Sequence, residues 1–597
     1  VVLQLLKNRG IETTEEINRF INPTLDLLYN PLLLKDMAKA VKRINTAINK
    51  RHKITIYGDY DVDGITSCCI LVKLLRKMGA DVNYYIPSRQ HEGYGLNLEA
   101  VKKISNEGTR LIITVDNGIG SYEEVELAKS LGMDVIITDH HEPQEMLPNA
   151  YAIIDPKQND CNYPFKNLAG VGVALKLAHA LTDMNPDTIK EYLDLATLGT
   201  VADMVPILDE NRIIVKNGLN FLNNTKNKGL NAIYSKLNIK DTQLDTGKIS
   251  FILAPRLNAV GRISDAAIAV ELLLTEDDVH AAELAETLEN VNKERQAIET
   301  KIFNEARAII DQNFDLNKER VLVVSSPDWN PGVIGIVASK LVELYSRPCI
   351  LIAEEGKEGR GSGRSISSFN LFEALTRVSH LLKRYGGHEQ AAGILIDVNN
   401  IRDLRAEINQ LANDLITDDD LNRKLDIDVE LKEKDINLEL ARQLELLEPF
   451  GFGNPKPTFM CRDFSIQRLR TVGRGNKHLK MSLKKRKGPI SAIGFNFGPY
   501  KEDLDLAPYV DMAFHLEVNR WQGCVQHQLN IKDLKVPYLE DDLLYSIESR
   551  YYDFFKNVNS EFMQTYNKDI SSVINHKSLI FKGINGNDKR EYVYKLL

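Results

Sequence analysis

The sequence predicts an α/β protein of several domains: a parallel, doubly wound sheet, a long helix, a second and smaller α/β unit, and a small β-barrel. Three observations carry this. Short β-branched apolar runs alternate with helical stretches in the first half of the chain. No Gly or Pro interrupts Glu276 to Asn313, longer than an ordinary surface helix. After about Ile416 the apolar period becomes two, in several short runs. With 597 residues the chain is too long for one hydrophobic core, and about three to five domains are expected.

Each element follows from its residues. Residues 1–50 hold "NRGIETTEEINRFINP" and "LKDMAKAVKRINTAINK". Their apolar residues recur every three or four positions, which predicts amphipathic helices, with Thr13 or Thr14 as an N-cap. Residues 51–275 open with "ITIY" (Ile54–Tyr57), an acidic cluster and the helical "ITSCCILVKLLRKMG". "LIITV" (Leu111–Val115) ends on "DNG"; "DVIIT" (Asp134–Thr138) follows a helical "SYEEVELAKSLG" and ends on "DHH"; "AYAIID" ends on Asp155. Runs this short and apolar are buried on both faces, as strands of a parallel sheet are. Residues 276–315 form the linking helix, with Leu284, Leu288, Val291, Ile298 and Ile302 at helical spacing. Residues 316–415 contain strands "RVLVVSS" and "PCILIAE" around the helix "GVIGIVASKLVELY", while "GRGSGRSI" and "YGGHEQAAG" read as glycine-rich turns. Residues 416–537 supply the barrel strands, from "KLDIDVELK" to "QHQLNIKDLKV". Residues 538–597 are rich in Tyr, Phe and Asp, read as helical, and suggest no chemistry.

Composition excludes some classes. Hydrophobic content of 43% and charged content of 26% describe an ordinary globular chain. No apolar run reaches about 18 residues, so no membrane span is expected. The six cysteines form no CxxC pair, which favours reduced thiols in a cytoplasmic protein over disulfides or zinc. The chain opens on Val1 without a signal-peptide pattern and stops after "YVYKLL", so it reads as part of something longer. A net charge of −8 does not mark a polyanion binder, yet a nuclease can be acidic overall and basic along one groove.

The polar residues fall where chemistry is expected. Asp59, Asp61 and Asp63, then Asp116, then Asp139, His140 and His141 all follow carboxyl ends of predicted strands. That edge of a parallel sheet is where ligands bind, so residues far apart in sequence converge on one rim. Asp203 of "LGTVADMVPI" follows a helical segment. Crowded carboxylates repel one another unless a cation sits among them. Asp and His without Cys favour Mn²⁺ or Mg²⁺. Asp61 and Asp63 can splay to two neighbouring cations, with a third carboxylate such as Asp116 between them. Two such cations clamp both oxygens of a phosphoryl transfer. An Asp-rich turn also serves as a helix N-cap, and D-x-D-G-T phosphatases share Asp61-Val62-Asp63-Gly64, but Ile65 replaces their Thr.

These residues resemble a known family. "GDYDVDG", "VDNG", "DHH" and "GTVADMVP" resemble the four motifs of the DHH phosphoesterases, and "GGHEQAAG" resembles their associated DHHA1 domain. Within the superfamily, "APRLNAVGRISDA", "GVIGIVASKL", "GSGRSI" and "PFGFGNPKP" resemble the RecJ exonucleases, and the likeness runs from about Leu5 to Val536. It implies a parallel-sheet DHH domain, a DHHA1 domain and an OB-like barrel. It implies a two-metal exonuclease that removes 5′-mononucleotides from single-stranded DNA in recombination and repair. Phosphodiesterases of nanoRNA or cyclic dinucleotides, and replication scaffolds without activity, are the alternatives.

The resemblance assigns roles residue by residue. Asp61 and Asp63 would bind different metals and Asp116 would bridge them. His140 and Asp203 would complete the second metal, His141 would face the scissile phosphate, and Asp139 would orient a histidine. Many relatives place a metal-binding His where this chain has Tyr57, so Asp59 or water would complete the first metal. Arg262 would stabilise charge on the scissile phosphate. Ser362 and Arg364 would hold the 5′ phosphate opposite Arg89, Tyr94 would stack on a base, and Arg256, Asn258, Ser365 and His388 would join the DNA contacts. His388 reads equally as a capping or packed histidine. Single-stranded DNA is the implied partner, with a single-strand-binding protein and a RecQ-type helicase, for a monomer in the cytoplasm. In the barrel, Arg468, Arg470, Arg474, Lys480 and Lys484–Lys487 would form a basic face for the strand.

Overall fold

The computed structural model describes residues 1–536 except 90–91, 486–487, 506, 508 and 522. The expectations for residues 486 and 487 and for the segment 538–597 lie outside the described residues. Two units divide the chain. One comprises Asn18–Leu421 with Pro449–Pro455; the other comprises Val1–Ile17, Asn422–Glu448 and the chain from Lys456 onward.

The first unit opens on a five-stranded sheet of β1 (Lys53–Tyr57), β2 (Val82–Tyr85), β3 (Thr109–Val115), β4 (Asp134–Thr138) and β5 (Ala152–Ile154). The order is β2-β1-β3-β4-β5 and every pairing is parallel. Successive side chains on a strand alternate faces, and both faces are covered. Ile54, Ile56, Leu111, Ile113 and Ile136 pack with helices Met37–Asn49, Val62–Lys77, Gly170–Leu181 and Leu193–Ala202. Tyr57, Ile112, Val135 and Ile137 pack with helices Leu98–Asn106 and Tyr122–Ser130. The sequence does not predict β2. This edge strand has four half-buried residues, one of them Asn83, and shows none of the apolar run that marks its neighbours.

Helix Asp278–Asn313 runs unbroken for 36 residues, about 54 Å at 1.5 Å per residue. Ala281, Ala285 and Leu288 enter the core of the first sheet, while Ile302, Ala306 and Ile310 enter a core under the second. One rigid element therefore sets the spacing of the two lobes of this unit.

The second sheet contains β6 (Leu322–Ser326), β7 (Cys349–Glu355), β8 (Glu358–Arg364), β9 (Leu382–His388) and β10 (Ala391–Asp397), in the order β6-β7-β8-β10-β9. Here the two glycine-rich stretches depart from expectation, because both lie largely in strands. In β8, Gly359, Gly361 and Gly363 face the core. A Cβ at Gly361 would stand 2.5 Å from Ile394 Cγ1, and one at Gly363 2.6 Å from Leu371 Cδ2. The glycines make room for large neighbours, and the alternation turns Ser362 and Arg364 to the other face.

Thr13 is the cap of helix Thr14–Ile21: its Oγ1 accepts from Glu16 N–H and Glu16 Oε2 accepts from Thr13 N–H. The other unit holds the barrel. Strands β11 (Val429–Glu430), β12 (Phe459–Val472), β13 (His478–Leu483), β14 (Ile490–Gly494), β15 (Tyr509–Trp521) and β16 (Cys524–Lys535) form a sheet that closes through β12–β15 pairing. The run "KLDIDVELK" yields only two strand residues, and helix Leu438–Leu444 lies between it and β12. On β13, Leu479, Met481 and Leu483 point inward. Arg470 sits opposite Lys480 in register, and Arg468, Arg470, Arg474 and Lys484 are exposed.

Candidate active site

The carboxyl ends of β1, β3 and β4 deliver the acids and histidines. The chain leaves β1 at Tyr57 and turns into helix Val62–Lys77, whose N-cap is Asp61; its Oδ1 accepts from Asp63 and Gly64 N–H at 2.9 and 3.1 Å. The N-cap reading and the ligand reading of Asp61 are thus compatible, since its second oxygen is spared. Asp63 points the other way and accepts from Gly170 and Val171 N–H, both at 2.7 Å, at the start of helix Gly170–Leu181. Two amides at a helix N-terminus fix that carboxylate with favourable electrostatics. Asp116 takes a left-handed turn (φ 62) after β3, and a Cβ at Gly170 would stand 2.8 Å from its side chain. These amides and this glycine belong to "AGVG", a signal the sequence reading did not use.

Three overlapping groups of potential ligand atoms result, each with all atoms within 4.8 Å: Asp59, Asp61 and Asp116; Asp63, His140 and Asp203; and Asp116, His140 and His141. His140 Nε2 lies 3.0 Å from Asp116 Oδ1, 3.7 Å from Asp203 Oδ2 and 3.8 Å from Asp63 Oδ2. Buried Asp59 Oδ1, Asp116 Oδ1, His140 Nε2 and Asp203 Oδ2 all lack hydrogen-bond partners. Buried polar atoms rarely stay unpaired. Several such atoms converging, three carboxylate oxygens and one imidazole nitrogen with no thiolate, fit divalent cations of the Mg²⁺ or Mn²⁺ type.

The electrostatics agree. Burial, then neighbouring carboxylates, pushes Asp59, Asp116 and Asp203 well above the ordinary Asp range and Asp63 up to about 7. Burial, then His141, lowers His140 to about 3, which keeps it a neutral donor. Burial would also lower His141, but the bond to Asp139 and that residue's charge outweigh it and raise His141 to about 9. Asp139 is buried. Its Oδ1 accepts from the backbone N–H of His140 and His141 and lies 2.7 Å from His141 Nδ1; its Oδ2 accepts from Ile119 N–H.

Tyr57 turns away from this cluster. It is fully buried, donates to Gly95 O at 3.0 Å and stacks on Tyr85. Asp59 takes the place beside Asp61 and Asp116. Tyr94 is 54% exposed, and its hydroxyl lies 3.1 Å from Asp116 O and within 3.3 Å of His141. Asp155 closes β5 on the same rim, buried and raised to about 7 by burial first; the sequence attached no role to it.

The expected DNA contacts divide. Arg262, Arg89 and Arg364 come together: burial first, then Arg89 and Arg364, lowers the Arg262 guanidinium to about 10. Arg262 Nη1 also donates to Gly332 O at 3.2 Å, and Arg89 lies over the ring of Tyr60 at 5.0 Å, a partner the sequence reading did not name. Arg364 Nη1 donates to Ser362 Oγ at 3.2 Å beside Gly335, in the first turn of helix Ile334–Tyr345. Other residues are turned inward. Arg256 pairs with Glu289 at 2.7 Å and donates to Ile252 O. It precedes Arg262 by six residues, about 240° around their shared helix. Asn258 Oδ1 accepts from Val62 N–H, pinning the turn that carries Asp61. Ser365 Oγ donates to Phe369 O. His388 is exposed at the end of β9 opposite Ala391, so it is neither a cap nor packed in a core.

Comparison with known proteins matches three domains of this chain. The DHH family, N-terminal domain, matches residues 53–200, the DHHA1 domain 318–414, and the RecJ OB domain 427–533. The single-stranded-DNA-specific exonuclease RecJ of Bacillus subtilis is 42% identical over 90% of this chain and 68% of its own length. The crystal structure of Thermus thermophilus RecJ in complex with Mn²⁺ has a TM-score of 0.76 at 32% identity, over 89% of this chain and 75% of that one. The same protein in complex with Mg²⁺ gives 0.71 at 30% identity, over 89% and 74%. The chain belongs to the RecJ family of single-stranded-DNA-specific exonucleases.

Proposed function

We propose that this chain is a 5′→3′ exonuclease of single-stranded DNA that uses two divalent cations, Mn²⁺ or Mg²⁺, and releases 5′-mononucleotides in recombination and repair. The observation that carries this is the shared position of Asp116, which groups with Asp59 and Asp61 on one side and approaches His140 within 3.0 Å on the other. Asp61 and Asp59 would hold one cation, Asp63, His140 and Asp203 the other, and Asp116 both. When bound, the pair neutralises charge on the scissile phosphate and lowers the pKa of a water.

The chain's own residues bind and orient. His141, kept protonated by Asp139, presents a donor to a phosphate oxygen from a half-exposed position. Arg262 supports the developing charge, while Ser362, Arg364 and Arg89 receive a terminal 5′ phosphate. Tyr94 covers the cation sites and faces the terminal base. The exposed Arg468 and Arg470 and the half-buried Lys480 of the barrel track the backbone of the strand. Family membership supports a single-strand-binding protein and a RecQ-type helicase as partners of a cytoplasmic monomer. Among the described residues no helix is long and apolar enough to cross a membrane. The domain limits proposed are 51–275 for the DHH domain, 316–415 for DHHA1 and 416–537 for the barrel.

The test uses purified protein with Mn²⁺ and three substrates: 5′-labelled strands, 3′-labelled strands and short dinucleotides. Early mononucleotide release from the 5′ label is expected. Turnover of dinucleotides alone would overturn the reading.

A further inference from the structure

Asp203 depends on the backbone for its place. Among the described residues no hydrogen bond reaches its carboxylate, whereas two amides hold Asp63. Its side chain is also the more open, 21% exposed against 3% for Asp116 and 0% for Asp63. The helix ends at Ala202, Met204 is left-handed (φ 61), and residues 204–208 lie in a loop with no ladder of its own.

That loop is held from elsewhere in the chain, by Pro449–Pro455 of the "PFGFGNPKP" motif. Phe452 O accepts from Ile207 N–H at 2.7 Å. The approach is close: a Cβ at Gly451 would stand 2.7 Å from Ile207 Cγ1, and one at Gly453 2.9 Å from Pro206 Cβ. The segment is closed on itself by the Gly451–Asn454 backbone pair and by buried Asn454, whose Nδ2 donates to Pro449 O at 2.9 Å. It is tied down by Arg212 Nη1 to Pro449 O at 3.2 Å and by Thr246 Oγ1 to Phe450 O at 2.6 Å. Arg212 is itself buried, bonded to Phe20 O and stacked on the Phe20 ring.

We propose that Pro449–Pro455 is a positioning strap that holds Asp203 in place for one of the two cations. The proposal rests on the reading of Asp203 as a ligand. The strap touches no ligand atom; it acts through Pro206 and Ile207. Loosening it therefore weakens one cation site and leaves the other intact, and it leaves the chemistry intact once that site is filled.

The test is a Mn²⁺ binding isotherm on the intact chain, comparing wild type with Gly451→Ala, Thr246→Val and Asp203→Asn. Wild type binds two Mn²⁺. Gly451→Ala, which pushes Ile207 away, weakens one site about tenfold, within the range for residues that orient ligands. Thr246→Val removes only the hydroxyl that bonds Phe450 O and weakens the same site about two- to threefold; it decides the matter alone if Gly451→Ala melts early. Asp203→Asn loses that site. Raising Mn²⁺ restores kcat of Gly451→Ala to within about twofold of wild type. If both strap variants bind Mn²⁺ like wild type while Asp203→Asn does not, the strap proposal is overturned. If Asp203→Asn also keeps both sites, the ligand reading fails and takes the proposal with it.

Discussion

Asp139 Oδ1 lies 2.7 Å from His141 Nδ1 and accepts the backbone N–H of both His140 and His141, so one buried carboxylate sets the aim of two histidines. Asp139→Asn keeps the shape but removes the charge that holds the His141 imidazole protonated. Turnover should fall about 10- to 100-fold, the usual cost of losing such a partner. Single-turnover kinetics at saturating Mn²⁺ check this, and an unchanged rate would contradict the role given to Asp139.

The acids should destabilise the metal-free fold. Folded-state pKa values of Asp59, Asp63, Asp116 and Asp203 are raised, so the folded state binds protons more tightly than the unfolded one. Stability contributed by these groups is present at low pH and is lost as pH rises toward about 7, the Asp63 value. In EDTA the melting temperature should fall between pH 5 and pH 8, and Mn²⁺ should remove that fall. Asp116→Asn should raise the metal-free melting temperature by on the order of 1–2 °C while abolishing turnover.

Arg364 and Ser362 should read the strand's terminus. Arg364→Ala removes a charge-assisted contact of about 1.5–3 kcal/mol, so KM for 5′-phosphorylated strands should rise roughly 10- to 150-fold. Strands ending in a 5′-hydroxyl should show little change. Equal losses on both would argue against a terminal phosphate there.

The barrel's basic face should govern salt dependence. Arg470 and Lys480 lie opposite each other on β12 and β13, with Arg468 two residues away on the same face. Neutralising all three should reduce the slope of log K against log salt for long single strands by about 2, at roughly 0.7 per phosphate contact. Fluorescence anisotropy across a salt series measures it.

The rim was legible because buried parallel strands have a short length and a plain apolar signature. Their ends in the sequence therefore place Asp59, Asp116 and Asp139 in space. Tertiary partners were not legible. Nothing local shows that Gly170 and Val171 amides meet Asp63, or that Phe452 meets Ile207. Glycines in β8 read as a turn because their crowding comes from Ile394 and Leu371 on other elements. Arg256 shares a motif with Arg262, yet the turn of the helix hands it to Glu289.

The central claim is that two cations divide this cluster, with Asp61 and Asp63 on different ions and Asp116 on both. Anomalous diffraction at the manganese edge from crystals grown with Mn²⁺ tests it most directly. Two peaks about 3.5–4 Å apart are expected, one beside Asp59, Asp61 and Asp116 and one beside Asp63, His140 and Asp203. A single peak, or a pair in which Asp61 and Asp63 share one ion, would contradict it.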